Sequence, residues 1–196
     1  MKRQNKNRWE DYYSRNAKKN AYPARSVYKL EEVQKKFKVI KKGFRVLDLG
    51  CYPGSWLLYS AKLTGKSGYV VGIDKQKVKI DLPENVKVYC EDIYNTLNFF
   101  GDKEHFNVII SDMAPDTTGS KFTDAVRSFE LSNKALDMTD GLLDRGGNFV
   151  CKIFQGEDFE EFYKKVGLFF KQKKIFKPQS TRKSSREIYV VGLGKK

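Results

Sequence analysis

The 196-residue chain has only three cysteines, Cys51, Cys90 and Cys151, odd in number, widely spaced and set in apolar runs. That pattern argues against a disulfide framework or a zinc site, and the three read as reduced core thiols. No window approaches the roughly 20 apolar residues of a membrane span. The first residues, MKRQNKNRWEDYYSRN, lack the apolar centre of a secretory signal. The expectation is therefore an intracellular protein away from the membrane, in the cytoplasm or in an organelle matrix such as that of a mitochondrion or plastid. In an organelle the basic amino end would be the remainder of a trimmed presequence. GxGxxG and GxxxxGKS/T are also missing, so neither a pyrophosphate cradle nor a triphosphate loop is present. Acids are scarce at both ends of the chain.

What is there is enough apolar material, 40% of residues, for one core and one domain. Residues 1–29 hold nine Lys or Arg and two acids, and residues 171–196 hold nine and one. The middle keeps 20 basic and 21 acidic residues, so the whole excess of +14 lies in the two ends. Trp9, Tyr12, Tyr13 and Tyr22 are interleaved with the basic residues of the first segment. A neutral body with basic ends fits a polyanion-binding face, because clustered Lys and Arg replace the counterions condensed on phosphates. It fits a solvated basic tail as well. The division expected is a basic N-terminal arm over residues 1–23 and a single domain over 24–196.

Residues 24–37, ARSVYKLEEVQKKF, place Val27, Leu30, Val33 and Phe37 at helical spacing, with Ser26 available as an N-cap. Short β-rich runs then alternate with helical stretches. The runs are 44–49, 69–74, 86–92, 106–113, 147–154, 174–176 and 187–193; the helices are 55–64, 123–144 and 157–170, the last two ending near Gly141, Gly146 or Gly167. Several runs are continuously apolar, as strands buried on both faces are. The alternation predicts an α/β doubly wound sheet of seven mostly parallel strands with helices on both faces. Only PQSTRKSSR separates the final two strands, so the last one returns antiparallel.

The segment VLDLGCYPGSW (46–56) sets Asp48 at the end of the first strand, Gly50 and Gly54 in the turn and a helix from Ser55. This is the ligand crevice of an open α/β sheet, and a ligand without a pyrophosphate fits it best. Asp74 ends the second strand, where a carboxylate can accept both hydroxyls of a ribose, and Asp92 ends the third, within reach of an adenine amino group. Each acid alone is more often a cap or turn former; three at successive strand ends describe a nucleoside pocket, in a pattern that resembles the S-adenosylmethionine-dependent methyltransferases of Rossmann-like fold.

Lys152 stands inside FVCKIF, flanked by apolar residues in what should be a central strand, where lysine is rarely buried unpaired. Its stem either snorkels to the edge or pairs with an acid, or it is an amine held in a cleft. Asp112, closing the fourth strand, and Glu187, opening an antiparallel last strand, reach the same edge, and Lys29 comes from the N-terminal helix.

Five blocks, ARSVYKL (24–30), DLGCYPGSW (48–56), SDMAPDTTG (111–119), GGNFVCKIFQGED (146–158) and KPQSTRKSSREIYVVG (177–192), are similar to the motifs of the FtsJ/RrmJ family of RNA ribose 2′-O-methyltransferases, in the right order and over nearly the whole chain. The resemblance implies a catalytic tetrad at Lys29, Asp112, Lys152 and Glu187, and S-adenosyl-L-methionine bound at Gly54, Trp56, Asp74, Asp92 and Asp112. SDMAPD, KIFQGE and SREIYVVG look like the ribosomal RNA branch, which implies a uridine of large-subunit rRNA, free or in the assembled large subunit, as substrate. Where relatives usually carry two small residues after DLG this chain has Cys51 and Tyr52, and Ser55 replaces a common second Gly. Lys152 would deprotonate or electrostatically steer the 2′-hydroxyl, and the sulfonium-activated methyl needs no metal. Basic residues at both ends, among them Lys2, Arg3, Lys6, Arg8, Lys18, Lys19, Arg25, Lys177, Arg182, Lys183 and Arg186, would grip phosphates. The protein is expected to act as a monomer. Rival readings are a tRNA or cap 2′-O-methyltransferase, a non-catalytic RNA-binding ribosome-assembly factor and, from fold alone, a nicotinamide-dependent oxidoreductase.

Overall fold

Unbroken apolar runs can be buried as strands only where both faces of a sheet are covered, and that is the arrangement found. The computed structural model describes residues 7–98, 100 and 104–196. Among the described residues seven strands make one sheet: β1 Arg45–Leu49, β2 Tyr69–Asp74, β3 Val86–Cys90, β4 Phe106–Ser111, β5 Leu143–Phe154, β6 Phe170–Phe176 and β7 Glu187–Lys195. Their order is β3-β2-β1-β4-β5-β7-β6. β1 to β5 run parallel to one another, and β7 is antiparallel to both β5 and β6. Fold class and strand directions are as the sequence predicts.

Alternation along the strands sorts side chains into two cores. Val46, Val108, Ile110 and Val191 meet Leu30 and Val33 of α2 (Val27–Phe37) and Leu57 of α3 (Ser55–Thr64). Leu47, Ile109, Phe149 and Val190 meet Leu136 of α4 (Lys121–Leu142) and Phe162 and Val166 of α5 (Phe159–Phe169). A further helix, α1 (Asn7–Lys19), precedes α2 in the chain, and a 3-10 turn covers Ile93–Asn98; neither was read from the sequence. β1 lies between β2 and β4, so successive connections leave it in opposite directions. The crevice outside the carboxyl ends of β1 and β4 is the switch point at which such sheets bind ligands.

Element ends differ from expectation for local reasons. α4 begins at Lys121 because the Ser120 hydroxyl accepts the Thr123 N–H at 3.3 Å. α4 and α5 do not stop at glycines: Gly141 and Gly167 lie inside them, and each helix passes directly into a strand, Leu142 to Leu143 and Phe169 to Phe170. Gly146, with φ +79°, sits instead in β5 where its pairing with β4 shifts register, a conformation that favours glycine. β6 starts at Phe170 rather than Lys174; its lysines hide an edge strand and guard it from further pairing. At the start of α2 the Ser26 side chain makes no capping bond, and its carbonyl accepts the Trp56 indole N–H at 2.9 Å.

Candidate active site

Four predicted residues meet at one edge of the sheet. Asp112 follows β4 immediately, Lys152 lies near the end of β5, and Glu187 opens β7 opposite Phe154, so the antiparallel strand brings its first residue to the edge where the parallel strands finish. Lys29 reaches in from the first turn of α2. Lys152 Nζ lies 2.9 Å from Asp112 Oδ1 and also donates to the Asp112 carbonyl. Lys29 Nζ lies 2.6 Å from Glu187 Oε1. Both lysines are thus answered by a carboxylate, as buried amines must be, and Lys152 is only 6% exposed.

A fifth group joins the two pairs. The Tyr189 phenol, fully buried and opposite Lys152 in the β5–β7 register, sits 2.7 Å from Asp112 Oδ1 and 3.2 Å from Glu187 Oε1, so its one proton is shared between two acceptors. Sequence reasoning passed over Tyr189; the available signal was a hydroxyl-bearing side chain in an otherwise aliphatic strand. Burial, and then the two carboxylates, push this phenol well above its ordinary value. Burial alone would raise Asp112, but Lys152 and Lys29 outweigh it and hold the carboxyl below the usual range. For Lys29 burial acts downward, and Asp112 with Glu187 overcome it, leaving the ammonium raised.

Beside this cluster a cavity of about 490 Å³ extends along the ends of β1, β2 and β3, lined by Asp74, Asp92 and Asp112 together with Ile73, Ile93 and Met113. Backbone N–H groups fix the carboxylates: Tyr52 donates to Asp74 Oδ2 at 2.9 Å, Gln76 to Oδ1 at 2.8 Å, and Tyr94 to Asp92 Oδ1 at 3.0 Å. Each Asp74 oxygen keeps a lone pair for a ligand. Gly50, at φ +77°, holds the loop against Met113; a Cβ there would stand 2.6 Å from Met113 Cγ. Asp48 is a correction to the three-acid pocket. Pleat alternation turns it off the crevice into the core, fully buried, with no hydrogen-bond partner for either oxygen among the described residues, and burial raises its carboxyl well above the ordinary value. Gly54 and Trp56 do not line the cavity; Gly54 is the N-cap of α3 and Trp56 lies in its first turn, where the indole packs against Tyr189.

The profile of the FtsJ-like methyltransferase family matches residues 22–195. This chain belongs to that family. It is 55% identical over 193 residues, 97% of this chain and 95% of the other, to the ribosomal RNA large subunit methyltransferase E of Desulforapulum autotrophicum. Among solved structures it resembles a ribosomal RNA methyltransferase from Plasmodium falciparum, with a TM-score of 0.78 and 27% identity over 89% of this chain and 98% of that one. Human methyltransferase-like protein 13, solved with SAH, shares the fold at a TM-score of 0.59 and 12% identity, over 76% of this chain and 71% of that one.

Within this FtsJ-like methyltransferase the unusual loop residues have identifiable places. Cys51 is buried against Gly72 of β2. Tyr52 lends its N–H to Asp74 and leaves its ring half-exposed at the cavity mouth. The Ser55 hydroxyl accepts the Ala24 N–H at 2.8 Å and donates to the Ala24 carbonyl at 3.0 Å. With the Trp56–Ser26 bond, it ties the loop after β1 to the segment that delivers Lys29. The basic ends are partly engaged in the fold. Arg25 donates to the Ser180 carbonyl, Lys177 to that of Ser185, and Arg186 to those of Gln155 and Lys121. Lys2, Arg3 and Lys6 lie outside the described residues.

Proposed function

We propose that the protein transfers a methyl group from S-adenosylmethionine to a ribose 2′-hydroxyl of RNA, at a uridine of large-subunit ribosomal RNA. The convergence of the Lys152–Asp112 and Lys29–Glu187 contacts beside a carboxylate-lined crevice carries this reading. The near-full-length similarity to a ribosomal RNA large subunit methyltransferase E supports the choice of RNA.

The crevice suits the cofactor. Asp74 offers acceptors for two ribose hydroxyls, Asp92 one for the adenine amino group, and Ile73 and Ile93 offer apolar surface to a purine. Gly54 and Trp56, which lie off the cavity wall, contribute by setting the start of α3, whose first N–H groups have no intrahelical acceptor and stand at the positive end of the helix, which favours a carboxylate. When bound, S-adenosylmethionine supplies a methyl group already activated by its sulfonium. The protein's part is alignment and proton management. Lys152 meets the 2′-hydroxyl, directs the oxygen toward the methyl carbon and offsets the negative charge that develops on that oxygen as its proton passes to solvent water. Asp112 and Tyr189 fix the Lys152 nitrogen, and Glu187 clamps Lys29 beside it. Exposed lysines of the basic ends, Lys18, Lys19 and Lys183 among them, contact phosphates and position the RNA without reading its sequence.

The test is transfer of labelled methyl to isolated large subunits and to total RNA that lack the modification, followed by nucleoside analysis. The expected product is 2′-O-methyluridine in large-subunit RNA. Label confined to tRNA or capped RNA would refute the substrate, and cofactor binding without transfer to any RNA would refute the activity.

A further inference from the structure

We infer that a groove along α2 is a stacking site for an unpaired base of the RNA substrate, an inference that rests on the RNA reading above. The groove, of about 500 Å³, follows the face of α2 on which Tyr28, Glu32 and Lys35 succeed one another at helical spacing, and it is walled by Tyr13 from the preceding helix and by Phe176 of β6. Its volume is in the range that encloses a small ring system.

Three observations give it this occupant. First, it is aromatic: the Tyr13 and Tyr28 rings lie 5.3 Å apart, Tyr12 stands 5.5 Å from Tyr13 and is 56% exposed, and Phe176 faces the Lys36 ammonium at 4.8 Å. Second, its carboxylates are already answered. Glu32 accepts the N–H groups of Gln179 at 2.6 Å and Ser180 at 2.9 Å, and Glu31 pairs with Lys35 at 3.0 Å, which leaves exposed Lys36 as the cation that the groove offers beside its aromatic rings. Third, it lies toward the sheet edge that carries the reacting residues, because Phe176 pairs with Tyr189 across β6 and β7. Aromatic faces within a cationic rim are how proteins hold single-stranded RNA, since every base has a stackable face. The site is also preformed: Arg25 bonds the Ser180 carbonyl at 2.8 Å and lies over the Tyr13 ring at 5.3 Å, and with Glu32 it fastens the segment before β7 to α2.

The test compares Tyr13→Ala and Tyr28→Ala with Tyr13→Phe and Tyr28→Phe, using the large-subunit RNA substrate and a single-stranded oligoribonucleotide. Each alanine variant should raise the RNA KM and Kd about tenfold, leave kcat and cofactor affinity unchanged, and keep the wild-type slope of log Kd against log salt, because no phosphate contact is removed. Phenylalanine should restore binding. Unchanged RNA affinity in the alanine variants, a parallel loss of cofactor affinity, or failure of phenylalanine to restore binding would overturn the inference. Should the wild-type protein bind RNA but methylate none, the proposed function fails while the stacking site is still decided by the oligoribonucleotide.

Discussion

Along β2 and β3 the polar groups that serve the crevice are carboxylates beside or beyond the strand ends, Asp74 and Asp92, held by backbone N–H groups and facing an open cavity. Along β5 and β7 the polar groups are Lys152, Glu187 and Tyr189, which stand within strands, are almost wholly buried and are held chiefly by one another and by Asp112. In the function proposed above, the first arrangement serves recognition, where each contact to a ligand contributes separately, and the second fixes the reacting geometry, since no member can move without disturbing the rest.

The largest effect expected is on the strand-borne side. Lys152→Ala should lower methyl transfer by about 10²- to 10³-fold, the span attributed to one group that stabilises a developing oxyanion, with cofactor affinity by calorimetry unchanged. An active variant would end the distinction between the two regions. On the loop-borne side, Asp74→Ala should raise the cofactor Kd by about 10- to 150-fold, corresponding to the ~1.5–3 kcal/mol of a charged hydrogen bond, while kcat at saturating cofactor is retained. Loss of kcat with unchanged Kd would assign Asp74 to the other region.

The smallest effect sharpens the comparison through pH. The folded Asp112 carboxyl titrates below its unfolded value, so its stabilisation is complete above the unfolded pKa and is lost as pH falls through the folded one. Lys29 is raised, so its stabilisation is complete below the ordinary lysine pKa and is lost as pH rises through the folded one. Thermal melting against pH should therefore sag at both extremes, and Lys29→Met should flatten the alkaline limb. An alkaline limb unaltered by that substitution would show that the Lys29–Glu187 pair adds nothing to stability.

Strands β1, β2 and β4 and the meeting of Lys29, Asp112, Lys152 and Glu187 were legible because apolar runs, strand ends and one misplaced lysine are local signals. Three features were not, each for a physical reason. Asp48 reads as a crevice acid until pleat alternation is applied from the neighbouring Leu49 and Val46, which sends it into the core. Tyr189 reads as a core aromatic because its role depends on two acceptors, one of which, Asp112, is remote in sequence. The start of β6 is hidden because an edge strand needs only one apolar face, and here Lys171, Lys173 and Lys174 fill the run.

β7 is the last strand in chain order, yet it lies between β5 and β6 rather than at the rim. As the polypeptide is synthesised from its amino end, the crevice acids Asp74 and Asp92 and both reactive lysines emerge before Glu187 and Tyr189 exist to hold them. The sheet meanwhile has a gap where its penultimate member belongs. A nascent chain can thus own the carboxylate-lined crevice before the Lys29–Glu187 pair and the Tyr189 bonds exist, and in the proposed function the enzyme is armed only when β7 slides into the opening.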